Sequence, residues 1–434
     1  MSNVEIGIWS IVAILVLIQS GMHVAIALSL VSLIGVYLVR DQFEIAGALL
    51  SNAALESVAR YSFGVIPLFV LMGVLVGVSG LGRDVFEVAG QIFRRFRGGL
   101  GIATVFANAI FAAVNGTTIA SASVFTKVAV PELIRQGYSR RFSVGVVAGS
   151  SVLGMLIPPS LLLILFGIIA EVSIGDLFSA GIGPGIILAV LFCLLIVGLA
   201  RFAPGFTGTP QESDIPLMRA SVMLQKAAPI VLLILLVLGG IYGGFFTPTE
   251  AGAVGALGAL LIAVAKRRLG VRAFGGILME TGQVTASITF LLIAAHMYSR
   301  LLALSGLPGA MVDLLAVYDF STLSILLLYL LAIILLGTIL DAASILLVLV
   351  PLVLPIAIAM HLDMVWFGIL TVVAVEVGLL TPPLGMACFV IRSNLDDSSI
   401  TLGDIFAGAL PFALVMLLLI GLLIVLPGIA IFLL

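Results

Sequence analysis

Residues 153–159 read Leu153-Gly154-Met155-Leu156-Ile157-Pro158-Pro159, and residues 377–383 read Val377-Gly378-Leu379-Leu380-Thr381-Pro382-Pro383. The two stretches lie 224 residues apart in a chain of 434. Both are apolar, both carry glycine at the second place, and both end in Pro-Pro. A proline inside a helix removes a backbone donor and clashes with the preceding turn. Two in succession predict that the helix unwinds at Pro158-Pro159 and again at Pro382-Pro383. In hydrocarbon an unpaired backbone group costs about several kcal/mol, so carbonyls freed near Gly154 and Gly378 must face protein, water or an ion.

The likeness extends outward at the same offset. Pro131 meets Pro355 and Phe142 meets Trp366. Asn115-Gly116-Thr117-Thr118 falls on residues 339–342, and Ser79-Gly80-Leu81 meets Ser305-Gly306-Leu307 with a slip of two. The chain therefore reads as two related halves.

Composition places these halves in lipid. The chain is 62% hydrophobic and 9% charged, against about 45–50% and about 25% in soluble domains. So little charge cannot cover a water-facing surface. Apolar blocks such as Ile230–Ile241, Leu323–Leu336 and Phe412–Leu426 approach or reach the roughly 20 residues needed to span a bilayer. The net charge of −2 offers nothing for nucleic acid. Cys193 and Cys388 sit in apolar blocks and read as small core residues, with no disulfide or metal-ligand spacing. The N-terminus lacks a basic lead and cleavage site, so Val4–Gln19 reads as a retained first helix.

Full crossings are expected near 4–20, 22–39, 60–82, 142–170, 181–201, 228–246, 249–265, 281–304, 366–391 and 405–430. The stretches 99–132 and 321–358 differ. Each is too long for one crossing and is interrupted, by Asn115-Gly116-Thr117-Thr118 and by Gly337-Thr338-Ile339-Leu340-Asp341. They read as re-entrant hairpins; the alternative, paired ordinary helices, would add a crossing at each place and upset the charge pattern. Cytoplasmic loops collect Lys and Arg. The segments placed inside hold Arg83, Arg94, Arg95, Arg97, Arg135, Arg140, Arg141, Arg201, Arg219, Lys226, Lys266, Arg267, Arg268, Arg272 and Arg392, 15 of the 19 basic residues. Those placed outside carry mostly acids: Glu171, Asp176, Glu250, Asp313, Asp319 and Asp363.

The expected fold is an all-α polytopic membrane protein with two inverted-topology repeats, about 4–201 and 228–430. Each repeat has five crossings, one hairpin and one Pro-Pro-broken helix. An odd number of crossings starts the second half on the opposite side. Inverted repeats with interrupted helices are the pattern of secondary transporters, whose sites lie where the breaks meet.

Two oxygen-rich clusters follow. The first combines Asn115, Gly116, Thr117 and Thr118 with Gly154, Pro158, Pro159 and Ser160. The second combines Gly337, Thr338 and Asp341 with Gly378, Thr381 and Pro382. Carbonyl and hydroxyl oxygens suit a small hard cation. Asp341 is the carboxylate of the second tip, and an intramembrane acid marks function; a helix cap is its structural alternative. Ser and Thr hydroxyls also bond their own backbone carbonyls in lipid. Half-helix N-termini at the breaks favour an anionic solute.

Other residues admit plainer readings. Glu376, two residues before Gly378, either tunes the site, carries protons, or makes an internal hydrogen bond to a neighbouring helix. Arg300, one turn from His296, either attracts an anion or snorkels, as does Lys127. Thr247-Pro248-Thr249-Glu250 reads as a helix cap.

The stretches Leu156-Ile157-Pro158-Pro159-Ser160, Gly244–Ala251, Leu307 onward to the 337–341 hairpin and Gly378–Gly385 resemble the large membrane subunit of a TRAP transporter (tripartite ATP-independent periplasmic transporter). Pro131–Tyr138 and Ser179–Gly185 fit it as well, so the likeness covers essentially the whole chain in order. One departure is the first tip, Asn115-Gly116-Thr117-Thr118, where Gly-Ser-Ser or similar is expected; oxygen donors remain.

The resemblance implies an elevator in which a transport domain slides against a scaffold. Residues 1–98 would form scaffold helices and an arm. Residues 99–180 would hold hairpin 1 and its broken helix. Residues 181–304 would return to the scaffold, 305–398 would hold hairpin 2 and its broken helix, and 399–434 would close it. It further implies sodium as coupling ion, with no other cofactor, bound near the tips and Pro-Pro breaks. The implied partners are a periplasmic solute-binding protein and a small membrane subunit. Met1 leads directly into the first repeat and the chain is too short for a fused form, so that subunit is expected on a separate chain. The implied solute is a small organic acid such as a C4-dicarboxylate, keto acid or sialic acid. The setting is the bacterial inner membrane, crossed many times.

The residues leave three rivals: a stand-alone symporter of the same superfamily, a passive channel, and an intramembrane aspartyl protease built on Tyr318-Asp319 and Asp341.

Overall fold

The structure, a computed structural model, describes residues 1–208, 217–318 and 320–434. The first half contains α1 (Asn3–Gln19), α2 (Val24–Arg40), α3 (Phe43–Ala59), a 3-10 turn (Tyr61–Gly64), α4 (Val65–Ser79), α5 (Leu81–Phe93), α6 (Gly99–Asn115) and α7 (Thr118–Arg135). It continues with α8 (Arg140–Ser151), α9 (Leu153–Leu156), α10 (Leu161–Ala170), α11 (Ile174–Phe202) and α12 (Pro204–Thr207). The second half contains α13 (Ala220–Tyr242), α14 (Pro248–Ala265), α15 (Val271–Ser305), α16 (Leu307–Val317), α17 (Thr322–Gly337) and α18 (Ala342–Ala359). It ends with α19 (Met364–Leu379), α20 (Met386–Asn394), α21 (Leu402–Val425) and α22 (Gly428–Ile431). Among the described residues there is no β-strand. Asp319, named above for the outer face and the protease reading, lies outside them.

Local chemistry sets the helix ends. Ser2, Thr247 and Thr401 each open a helix with a reciprocal capping box, closed by Glu5, Glu250 and Asp404. This matches the structural reading of Thr247–Glu250. Ser139, Ser173, Ser321 and Asp363 cap with a side-chain oxygen. Isolated prolines 131, 184, 229, 351, 355 and 411 stay inside helices. The two doublets instead lie between helices, after α9 and after α19.

Element order repeats across the halves. α13 and α14 stand where α1 and α2 stood, α16 follows α5, and α17 with α18 follows α6 with α7. One difference is local: α15 runs 35 residues without a break, about 52 Å at helical rise. The first half divides the same stretch into α3, the 3-10 turn and α4, because Arg60 turns extended at ψ 132°.

Among the described residues, eight helical stretches are long and apolar enough to cross a membrane, from Tyr61–Ser79 to Leu402–Val425, so the chain is a multi-pass membrane protein. They differ from the expected ten, and one of them, Ala342–Ala359, lies in the 321–358 stretch expected as a hairpin. The crossings placed near 4–20 and 22–39 are 17-residue helices, and the one near 366–391 is split into α19 and α20 by its Pro-Pro break. α3, α5 and the first turns of α15 were not expected as helices.

Burial shows what the fold protects. In the span Arg140–Ala170, 89% of the most apolar window is buried within the protein, against 17% in Ala220–Tyr242. α19 is buried from Trp366 through Leu379. Both helices that unwind are thus sheathed in protein, as freed backbone in a bilayer requires. The halves interlock reciprocally. α7 packs on α20 and α18 on α10; α8 packs on α21 and α19 on α11.

Candidate functional site

The first tip is the two-residue link between α6 and α7. Gly116 takes φ +69°, a conformation that costs glycine little. Asn115 Nδ2 donates to the Thr117 carbonyl at 3.0 Å and to Thr117 Oγ1 at 3.3 Å, and Thr117 Oγ1 accepts the Ala120 amide at 3.4 Å. The tip is thus a self-bonded cap opening α7. It rests on the first Pro-Pro break. Leu161 donates its amide to the Gly116 carbonyl at 3.1 Å, and a Cβ on Gly116 would stand 2.5 Å from the Pro159 carbonyl oxygen. A Cβ on Gly154 would stand 2.7 Å from the Thr117 carbonyl, so tip and broken helix touch backbone to backbone. Ser160 caps α10, donating to the Met155 carbonyl and accepting the Leu163 amide at 3.3 Å.

The second tip is built the same way. Leu384 donates its amide to the Thr338 carbonyl at 3.0 Å, beside a longer bond from Gly385 at 3.4 Å. Gly337 and Gly378 are in backbone contact: a Cβ on Gly378 would lie 2.6 Å from the Gly337 Cα. Thr338 Oγ1 donates to the Leu335 carbonyl at 2.7 Å, and Thr381 Oγ1 to that of Val377 at 2.7 Å. These are the local bonds that hydroxyls make in lipid. Each leaves the oxygen's lone pairs available to a cation.

Among the described residues, no backbone hydrogen bond of good geometry reaches the carbonyls of Ile157, Pro158 and Pro159, or those of Pro382 and Pro383. No cluster of three or more His, Cys, Asp or Glu side chains exists among the described residues. A cation at these junctions would therefore meet carbonyl and hydroxyl oxygens, with Asp341 the carboxylate of the second tip, and such hard donors suit an alkali ion better than a soft metal.

One expectation is corrected. The Gly378 carbonyl is not stripped, because it accepts the Thr381 amide at 3.0 Å; the turn over Leu380 recaptures it. Asp341 is the N-cap of α18, accepting the Ser344 amide at 3.1 Å and the Ser344 hydroxyl, so both carboxylate oxygens have partners. Arg300 pairs with Glu56 at 2.5 Å, both side chains partly exposed. Lys127 is exposed. Cys388 is buried and Cys193 half-buried, both as free thiols.

Residues 11–429 match the family model described as "Tripartite ATP-independent periplasmic transporter, DctM component". The chain belongs to that family. The C4-dicarboxylate TRAP transporter large permease protein DctM of Pseudomonas aeruginosa is 31% identical over 363 residues, 83% of each chain. The sialic acid TRAP transporter large permease protein SiaM of Vibrio cholerae is 30% identical over 377 residues, 86% of each. The fold is also that of the YdaH transporter of Alcanivorax borkumensis, with a TM-score of 0.63 and 16% identity, covering 90% of this chain and 89% of that one. As a DctM component, the chain is a large transporter permease and not an enzyme.

Sequence reasoning missed several contacts in this DctM component. Thr118 Oγ1 donates to Glu376 Oε2 at 2.9 Å, across 258 residues. This is the internal-bond reading of Glu376, but to hairpin 1 of the other half. Asn108 Nδ2 donates to Ser150 Oγ at 2.6 Å, holding α6 to α8. Arg60 meets Glu171 at 2.7 Å, tying the break before α4 to the end of α10. Only the first left a signal, an acid inside an apolar block.

Proposed function

We propose that this chain carries an organic acid anion inward across the bacterial inner membrane, driven by sodium, as the large subunit of its tripartite transporter. The observation that carries this reading is the seating of each hairpin tip on its Pro-Pro break, Gly116 against Leu161 and Thr338 against Leu384. Each junction gathers bare carbonyls and hydroxyls in protein-sheathed membrane depth. Sodium is held at the first by oxygens from Asn115, Gly116, Thr117, Thr118, Gly154, Pro158, Pro159 and Ser160. At the second, Gly337, Thr338, Asp341, Thr381 and Pro382 supply them, and Gly378 holds the broken helix against Gly337. The acid lies between the tips, where the N-termini of α7 and α10 present partial positive charge.

In this reading residues 99–180 and 305–398 move as one transport domain against 1–98, 181–304 and 399–434. The interlocked packing of α7 on α20 and α18 on α10 supports a single moving body. A periplasmic binding protein delivers the acid, and a small membrane subunit on a separate chain widens the scaffold. The C4-dicarboxylate and sialic acid relatives point to the carboxylate class.

The test is uptake into proteoliposomes holding the purified large and small subunits, with the binding protein outside. A sodium gradient should drive uptake and a proton gradient alone should not. Full uptake without sodium sinks the coupling; full uptake without the binding protein points to a stand-alone symporter.

A further inference from the structure

Thr118 opens α7 directly behind the first tip, and Glu376 sits two residues before the Gly337–Gly378 contact of the second. Their 2.9 Å hydrogen bond is therefore a short direct path between the junctions. Both side chains are buried, at 0% and 1% exposure. Glu376 Oε1 has no hydrogen-bond partner, and neither has Ser121 Oγ, one turn beyond Thr118. Ser121 Oγ in turn lies 3.2 Å from where a Cβ on Gly154 would stand. One face of α7 thus meets the first broken helix at Gly154 and the second at Glu376.

We infer that Glu376 is a positioning residue that couples ion binding at the two hairpins, a claim resting on the sodium reading above. Closing tip 1 on an ion fixes the start of α7 and thereby Thr118. Thr118 fixes Glu376 and, two residues on, the backbone of Gly378 against Gly337. The second junction is then already ordered when its ion arrives. Coupling of this kind requires two sites and an element whose arrangement both bias. The bond supplies that element. Buried hydrogen bonds hold geometry because a buried polar group left without its partner is costly.

The experiment measures uptake rate against sodium concentration in proteoliposomes of the complete transporter. Wild type should give a Hill coefficient above about 1.5, and Glu376→Leu one of about 1, with half-saturating sodium raised about tenfold. Glu376→Gln keeps an acceptor oxygen for Thr118 and should restore cooperativity. Thr118→Val reads the same bond from the other side if Glu376→Leu does not fold. Combining Thr118→Val with Glu376→Leu should cost no more than either alone. A wild-type Hill coefficient in Glu376→Leu or Thr118→Val, or a glutamine variant as uncoupled as the leucine one, overturns the inference. Wild-type uptake indifferent to sodium overturns the sodium reading itself, and the inference with it.

Discussion

Leu384 donates its amide hydrogen to the Thr338 carbonyl across 3.0 Å, fastening the second hairpin tip to the residue that follows Pro382-Pro383. Leu161 does the same for Gly116 at the first. A helix end left open by a proline doublet is satisfied by a hairpin, and a hairpin end by a broken helix. Each unit is incomplete without the other.

Close backbone approach makes the second junction sensitive to one methyl group. Gly378→Ala would place a Cβ 2.6 Å from the Gly337 Cα, and neither backbone is free to yield. Overpacking of this kind costs about 1–3 kcal/mol. Thermal unfolding in detergent should show a lowered midpoint for Gly378→Ala and Gly337→Ala, with uptake lost. Gly421→Ala, where a Cβ meets nothing within 4 Å, should change neither.

Asp341 has two separable duties. As the N-cap of α18 it is replaceable by asparagine, whereas alanine costs about 1 kcal/mol. As a carboxylate beside the proposed sodium ion it would not be replaceable. Asp341→Ala should lower the unfolding midpoint and Asp341→Asn should not, while both abolish sodium-driven uptake. An asparagine variant with normal uptake would reduce Asp341 to a cap.

Ser160 holds both sides of the first break, through the Met155 carbonyl and the Leu163 amide. Ser160→Ala leaves that buried carbonyl without its partner, a loss of about 1–3 kcal/mol. Ser160→Thr retains the hydroxyl. Denaturation in mixed micelles should separate the two variants clearly.

Ion pairs should differ by exposure. Arg141 meets Asp404 at 2.7 Å, joining α8 to α21, but the arginine side chain is 62% exposed, and such pairs contribute less than about 1 kcal/mol. Asp84 is 18% exposed and pairs with Lys266 and, at 3.7 Å, Lys226. Asp84→Ala should therefore lower the unfolding midpoint further than Arg141→Ala, and added salt should blunt the second effect more completely.

Both breaks were legible because they are written in residues with few alternatives. A proline doublet cannot continue a helix, and Gly116 or Gly337 beside hydroxyls in an apolar run marks an end. Single prolines such as Pro351 and Pro355 carry the same donor loss yet stay helical, a placement that membrane helices tolerate. α3 escaped notice because its hydropathy is diluted by Asn52, Glu56 and Ser57. Its buried face, Ala46, Leu50, Ala53 and Ser57, does follow a helical period. The Gly378 carbonyl was misjudged because recapture by Thr381 depends on the turn taken after α19. The Thr118–Glu376 bond depends on tertiary packing and has no local trace beyond an acid in an apolar block.

Sodium coupling requires alkali-ion binding where the tips meet the broken helices. The direct measurement is a pair of cryo-electron microscopy maps of the complete transporter, one in sodium and one with sodium replaced by choline. Density should stand at coordination distance from the carbonyls around Pro158-Pro159 and Pro382-Pro383 in sodium and vanish in choline. Maps alike at both junctions, with no density there in either salt, would contradict it.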